Sequence, residues 1–80
     1  MIRMQYSDAA ASALEILSRC LSLPESECRV ARLRGTPSWD SFAHVEVVVE
    51  VEERFGVHLT TEQIEGVNNF DTLVDLLQDI

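Results

Sequence analysis

The chain has 80 residues, of which 46% are hydrophobic, and a formal net charge of −8. A chain this short buries only about 60% of its unfolded surface, so we expect one small domain over residues 1–80. Residues 1–40 hold five arginines and five acids, whereas residues 41–80 hold nine acids and one arginine. Such an acidic surface repels nucleic-acid phosphates and anionic lipid and favours basic protein partners. We therefore expect neither a nucleic-acid nor a membrane partner.

The first residues carry one early arginine and no apolar run of about 18 residues, so we expect neither a signal peptide nor a membrane span. The two cysteines, Cys20 and Cys28, are too few for a disulfide scaffold and lack the paired spacing of a zinc site. His44 and His58 have no third ligand at a suitable spacing. We expect a cytoplasmic monomer with ordinary thiols and no bound metal.

The first predicted element is a helix over SDAAASALEILSRCL. Ser7 is a suitable N-cap, and Asp8 would lie in the first turn, where the helix dipole favours an acid. The leucine and alanine spacing is that of one helical face, formed by Ala10, Leu14, Leu17 and Leu21.

A long connection over residues 22–39 follows, interrupted by two prolines and a glycine. We expect Val30 and Leu33 to hold it against the core and Trp39 to be buried. The segment PESEC suits a short helical turn, because Pro24 is favoured at a first helical position. The connection also contains Arg29, Arg32 and Arg34, which either pair with the acidic helices or contact a partner.

The next run, HVEVVVEVE, is ambiguous. Its alternating valines fit a half-buried strand. The ends favour a helix instead, because Asp40 is a good N-cap and Gly56 a good residue just past a helix end. The helical interpretation places Val45, Val48, Val51 and Phe55 on a broad apolar side and Glu46, Glu50 and Glu53 on another.

Two more helices are predicted after Gly56. Thr60 or Thr61 caps the brief segment TEQIEG, which Gly66 ends, and Asn68 or Asn69 caps FDTLVDLLQDI. The last helix has one apolar face, formed by Phe70, Leu73, Val74 and Leu77. The predicted fold class is all-α, a four-helix bundle with three main helices, one short helix and a long loop after the first.

Ser41 is the residue that points most directly to a function. It falls in the first turn of the second main helix, where free backbone N–H groups and the helix dipole would stabilise a phosphate ester on its hydroxyl. The alternative is that Ser41 helps to cap the helix. Asp40 already fills that position, which leaves the serine hydroxyl without an evident structural role.

The stretch WDSFAHVEVVVEVEERFGV resembles the modification motif of acyl carrier and peptidyl carrier proteins. The similarity covers most of the chain, including LPES in the long loop and NNFDTLVDLL in the last helix. It implies that Ser41 bears 4′-phosphopantetheine, transferred from coenzyme A by a phosphopantetheinyl transferase, and that Asp40 is the acid preceding it. The chain would then shuttle acyl or aminoacyl thioesters between enzymes, without catalysis of its own.

The resemblance also implies a docking face for partner enzymes with basic patches. Carried over by position, this face consists of Phe42, Glu46, Val49, Glu52 and Glu53. Two positions depart from the family pattern: Ala43 stands where an acid is common, and His44 where threonine or another polar residue is frequent. These departures and the WDS form favour a specialised polyketide, nonribosomal peptide or lipid pathway over housekeeping fatty-acid synthesis.

Three alternatives weigh against this interpretation. A carrier-like domain that is no longer modified would act as an acidic interaction module. Asp40, Ser41 and His44 are triad residue types, but Ser41 lacks the flanking glycines of a nucleophile elbow, so we expect no catalytic residue. The acids from Glu46 to Glu53 could also be a solvated helix face, with Glu50 and Arg54 paired at i,i+4.

Overall fold

A computed structural model describes residues 3–80, and these residues form five α-helices and no β-strand. The predicted all-α class is therefore confirmed. The short helical turn expected at PESEC is also present, but Pro24 holds its N-cap position and not the predicted first helical position. The helices are α1 (Tyr6–Leu21), α2 (Glu25–Cys28), α3 (Ser41–Phe55), α4 (Thr61–Gly66) and α5 (Phe70–Asp79).

Helix α1 lies at the centre of the fold and contacts α2, α3 and α5. Its four predicted core residues are all buried, and so are the four predicted for α5. Trp39, in the connection before α3, is the largest of the fully buried side chains. Burial of apolar surface of this kind supplies most of the stability of a small domain.

The run of valines forms a helix, but not with the predicted face towards the core. Helix α3 buries Ala43, Val47 and Val51, whereas Val45 is 60% exposed and Val48 and Phe55 are only partly buried. The placement of Val45 on the inner side was wrong. The physical reason is that valines occupy both the buried and an exposed side of this helix, so its apolar periodicity does not specify which side faces α1.

The starts of α3, α4 and α5 and the end of α3 follow the predicted capping, whereas the starts of α1 and α2 do not. Thr60 and Asn69 each accept a hydrogen bond from a backbone N–H and complete a capping box. Gly56 has a left-handed φ of 63°, as expected for the residue that ends α3. Ser7 is not a cap, because α1 begins at Tyr6 and Gln5 holds the N-cap position without a side-chain hydrogen bond.

The connection before α3 is held by backbone hydrogen bonds. The N–H of Leu33 donates to the carbonyl oxygen of Asn68 over 2.9 Å, and the N–H of Arg34 donates to that of Trp39 over 2.9 Å. Leu33 is partly buried, as predicted, but Val30 is 78% exposed, so its predicted contact with the core was wrong. Within residues 3–80, no helix is long and apolar enough to cross a membrane.

The buried and exposed valines of α3 give a direct test of its helical register. Val47→Ala should lower the free energy of unfolding by about 2 kcal/mol, because two buried methyl groups are lost and a small cavity remains. Val45→Ala should change it by less than about 0.5 kcal/mol, because Val45 lies on the surface. Urea unfolding followed by circular dichroism measures both. Equal effects at the two positions would contradict the register, since a strand would place both side chains on one face.

Candidate functional site

Ser41 is the first residue of α3, and its side chain is exposed. The carboxylate of Asp40 accepts the N–H of Ala43 over 2.9 Å, and the carbonyl oxygen of Asp40 accepts the N–H of His44 over 2.9 Å. The backbone N–H groups of Ser41 and Phe42 have no acceptor among the described residues. The serine hydroxyl therefore lies beside two free donors, at the positive end of a 15-residue helix.

A second serine close by has the opposite environment. The Ser38 hydroxyl oxygen is buried and has no hydrogen-bond partner in residues 3–80. A reagent that approaches this segment from solvent reaches Ser41 and not Ser38. Burial thus distinguishes the two serines although they are only three positions apart.

Trp39 and His44 fix the segment that carries Ser41. The buried indole Nε1–H of Trp39 donates to Nδ1 of His44 over 3.1 Å, and Nε2 of His44 lies 3.0 Å from the carbonyl oxygen of Ile64. Because the indole nitrogen can only donate, Nδ1 must accept and the imidazole hydrogen must lie on Nε2, where it donates to Ile64. The start of α3 is thereby joined to both the preceding connection and α4.

The two hydrogen bonds of His44 prevent it from acting as a base towards Ser41. Both of its ring nitrogens are engaged, so neither is free to take a proton from Ser41. The other departure from the carrier pattern, Ala43, is buried. The Ala43 and His44 side chains are therefore both directed into the molecule.

One exposed stripe of α3 contains four of the five residues assigned to partner docking. The positions follow each other at intervals of four, three and four residues, which places their side chains on one face of a helix. All four are exposed, and the phenyl ring at the start of the stripe is 75% exposed, so it is not a core residue. The stripe consists of Phe42, Glu46, Val49 and Glu53.

The remaining acids of α3 have structural partners. Glu52 accepts the backbone N–H of Leu59 over 2.8 Å and so ties α3 to the link before α4. Glu50 pairs with Arg54 over 3.0 Å, as predicted, and with Arg19 over 3.6 Å. The hydrogen bond from Arg54 to Glu50 raises the pKa of Arg54. Glu46 and Glu53 are left as the acids of α3 with neither an ion pair nor a side-chain hydrogen bond in the described residues.

Both cysteines hold their thiols in the neutral form. Cys28 is fully buried, and burial raises the pKa of its thiol, with smaller contributions from Glu25 and Glu27. Burial also raises the pKa of the partly buried Cys20, helped by the carboxylate of Glu50. Since the thiolate is the reactive form, neither cysteine has the character of a catalytic nucleophile.

No known protein family model matches this chain, and no curated protein matches it.

Sequence reasoning missed the bond between Trp39 and His44. A signal for it was present, because a buried tryptophan usually needs an acceptor for its N–H and His44 lies only five positions further on. The contact with Ile64 had no such signal, since it joins residues 20 positions apart.

The bridge predicts a measurable coupling between the two side chains. His44→Ala should lower the free energy of unfolding by about 1–3 kcal/mol, because it leaves the buried indole N–H without an acceptor. The variant Trp39→Phe has no such N–H. In that background His44→Ala should therefore lower the free energy of unfolding by less than it does in the original chain, and the difference should be at least about 0.5 kcal/mol. Urea unfolding followed by circular dichroism measures the original chain, the two single variants and the double variant, which together form a double-mutant cycle.

The matched control is His58→Ala, because His58 is exposed and has no hydrogen bond of this kind. It should change stability by less than about 0.5 kcal/mol. Strict additivity of Trp39→Phe and His44→Ala would rule out the bridge.

Proposed function

We propose that this chain is a discrete carrier of the acyl or peptidyl carrier type, modified on Ser41 with 4′-phosphopantetheine. In this proposal residues 1–80 are one carrier domain, and the helices correspond to the carrier bundle, with α1, α3 and α5 as its main helices and the long loop before α3. The function is to hold acyl or aminoacyl groups as thioesters and to pass them between enzymes, in keeping with the specialised pathways that the WDS form favours.

The observation that carries the proposal is the environment of the Ser41 hydroxyl. It is exposed at the start of a long helix, next to the free N–H groups of Ser41 and Phe42. A phosphodiester on this oxygen would be stabilised there by about 0.3–1 kcal/mol through the helix dipole. The first turn of α3 contains no acid, and the one carboxylate directly before it, that of Asp40, accepts the N–H of Ala43.

In this proposal the chain itself catalyses nothing and only presents the Ser41 hydroxyl to a transferase. A transferase would use the Ser41 oxygen to displace the nucleotide part of coenzyme A, forming the phosphodiester and leaving a flexible arm with a terminal thiol. Asp40 supports this step by capping α3, which holds Ser41 at the helix end. Because both cysteines of the chain are held as neutral thiols, the arm would supply the thiol that reacts.

The exposed stripe of α3 supplies a suitable docking face for partner enzymes. Phe42 and Val49 provide apolar contact, and Glu46 and Glu53 provide charge without a competing ion pair in the described residues. Exposed ion pairs contribute only about 0–1 kcal/mol each, so they speed association without making the complex long-lived. Short-lived contact is what a shuttle requires. Glu52 belongs to the same proposed face, at its edge, where it also anchors the N–H of Leu59.

A second function has its own support. The stripe with Phe42 and Glu46 is exposed whether or not Ser41 carries a group, so an unmodified acidic interaction module would present the same surface. The two functions differ only in the chemistry at Ser41.

Modification of Ser41 separates these functions. Incubation of the protein with coenzyme A and a phosphopantetheinyl transferase of broad specificity should add the mass of one phosphopantetheine group. Ser41→Ala should abolish the gain, because its oxygen is the proposed acceptor. Intact-protein mass spectrometry measures both results.

Ser38→Ala is the control, since it removes a nearby hydroxyl that is buried. It should be modified like the original chain. No mass gain with several transferases would favour the interaction module, and a gain that persists in Ser41→Ala would place the attachment elsewhere.

Charge reversal tests the docking face. Glu46→Arg with Glu53→Arg should reduce kcat/KM for modification by about tenfold, because two exposed ion pairs of about 0.5–1 kcal/mol each are replaced by repulsion. The difference should shrink as salt rises. Initial rates of modification at several salt concentrations measure the effect.

Glu62→Arg with Glu65→Arg changes the net charge equally on α4, where both acids are exposed. This control should lose much less rate. Equal losses in the two double variants would mean that overall charge, and not the α3 stripe, governs docking.

A further inference from the structure

The arginines of the chain fall into two groups. Arg3, Arg19 and Arg54 each form an ion pair with a carboxylate. The other three lie within six positions in the connection before α3, and none of them forms an ion pair among residues 3–80. They therefore do not brace the acidic helices. This group, the basic loop, consists of Arg29, Arg32 and Arg34, and all three are exposed.

The backbone of the basic loop is fixed. The N–H of Arg32 donates to the Thr36 hydroxyl over 2.9 Å, and the N–H of Thr36 donates back to the carbonyl oxygen of Arg32 over 2.8 Å. The loop is also attached to the start of α5 by a bridge between Arg32 and Asn69. Because the backbone of the loop is already ordered, binding of a partner would cost little additional backbone conformational entropy.

Arg34 has a left-handed φ of 66°, a conformation that favours glycine. The chain nevertheless carries an arginine at this position and a glycine directly after it. Arg34 thus places a guanidinium in the loop although its backbone conformation is less favourable for arginine than for glycine. Residues with such unfavourable backbone conformations are found most often at functional sites.

Arg29 is oriented by a different contact. Its guanidinium lies over the ring of Phe70, 5.1 Å from the ring centre. This cation–π contact uses no hydrogen-bond donor, and the guanidinium N–H groups of Arg29 have no side-chain or backbone acceptor among the described residues. Arginine donors in a planar fork match carboxylates and phosphates.

Two shallow clefts lie on either side of Arg32. One, of about 370 Å³, is lined by Arg34 and Asn68, and the other, of about 250 Å³, by Arg29 and Asp71. Val30 borders the second cleft and is 78% exposed. The basic loop therefore combines three free guanidinium groups with one exposed apolar side chain, and Asp71 is the one acid that lines the two clefts.

We infer that the basic loop is an interaction surface for a carboxylate-rich segment of a partner protein. The aspartate or glutamate side chains of that segment would pair with Arg29, Arg32 and Arg34, and an apolar side chain would cover Val30. This inference goes beyond the proposed carrier function and does not depend on modification of Ser41. It assigns the chain a second face, opposite in charge to the stripe of α3.

Charge favours a short acidic segment over a nucleic acid. A duplex is a long polyanion that would extend from the loop over the acidic half of the chain, where the nine acids of residues 41–80 repel it. A peptide segment fits within the loop itself. Charges farther than about 10 Å are largely screened at moderate salt, so the local arginines dominate.

The test uses the whole isotope-labelled chain and a synthetic peptide rich in aspartate with one central leucine. At about 0.1 M salt, where the distant acids are largely screened, peptide addition should shift the backbone amide signals of residues 29–36 and 68–71 in NMR spectra. The triple variant Arg29→Gln, Arg32→Gln, Arg34→Gly should bind about tenfold more weakly, as expected for three exposed pairs. The matched control is Arg3→Gln, Arg19→Gln, Arg54→Gln, which has the same net charge and should bind like the original chain.

Arg34→Gly alone should weaken binding while its unfolding midpoint stays equal or rises, because glycine tolerates the left-handed backbone. Loss of binding through misfolding is thereby excluded. The inference is overturned if no signals shift, if the two triple variants lose binding equally, or if a DNA duplex of similar charge binds the loop as tightly as the peptide. Concentration-dependent shifts of the same signals without peptide would also overturn it, by identifying a second copy of this chain as the occupant.

Discussion

The hydrogen bonds from the indole of Trp39 to His44 and from His44 to Ile64 fix the part of the molecule on which its surfaces depend. The indole is buried, so its N–H needs a partner inside the protein, and His44 supplies it from the first turns of α3. The second ring nitrogen reaches α4. One side chain thus joins the first turns of α3 to both the preceding connection and α4.

Helix α3 packs against the core with one side and leaves apolar side chains exposed on another. Ala43, Val47 and Val51 face the core, where a small residue and two compact ones allow close approach to α1. Apolar residues remain on the outside, beginning with Phe42 at the same end as Ser41. Exposed apolar side chains bordered by acids are typical of surfaces that meet other proteins. The packing of this helix therefore leaves a contact surface directly beside the exposed serine.

The sequence predicted most of the helices because their ends carry clear chemical signals. Asp40, Gly56 and Asn69 mark boundaries through the hydrogen bonds and dihedral angles that only a few residue types provide. The side of α3 that faces the core was not predictable, because valines lie on both the buried and an exposed side of this helix. The contact between His44 and Ile64 was not predictable either, because it depends on how two distant segments meet. The exposure of Ser41 agrees with the sequence interpretation, whereas its chemistry stays a proposal.

The burial of the cysteines has a consequence for any cargo. A thioester exchanges readily with a neighbouring thiolate, so a reactive cysteine near the attachment point would capture the acyl group and strand it on the polypeptide. Cys28 lies inside the fold, and Cys20 is partly buried beside Glu50, which disfavours its ionised form. If Ser41 carries the proposed arm, the raised pKa values of both cysteines disfavour transfer of an acyl group from the arm to the polypeptide.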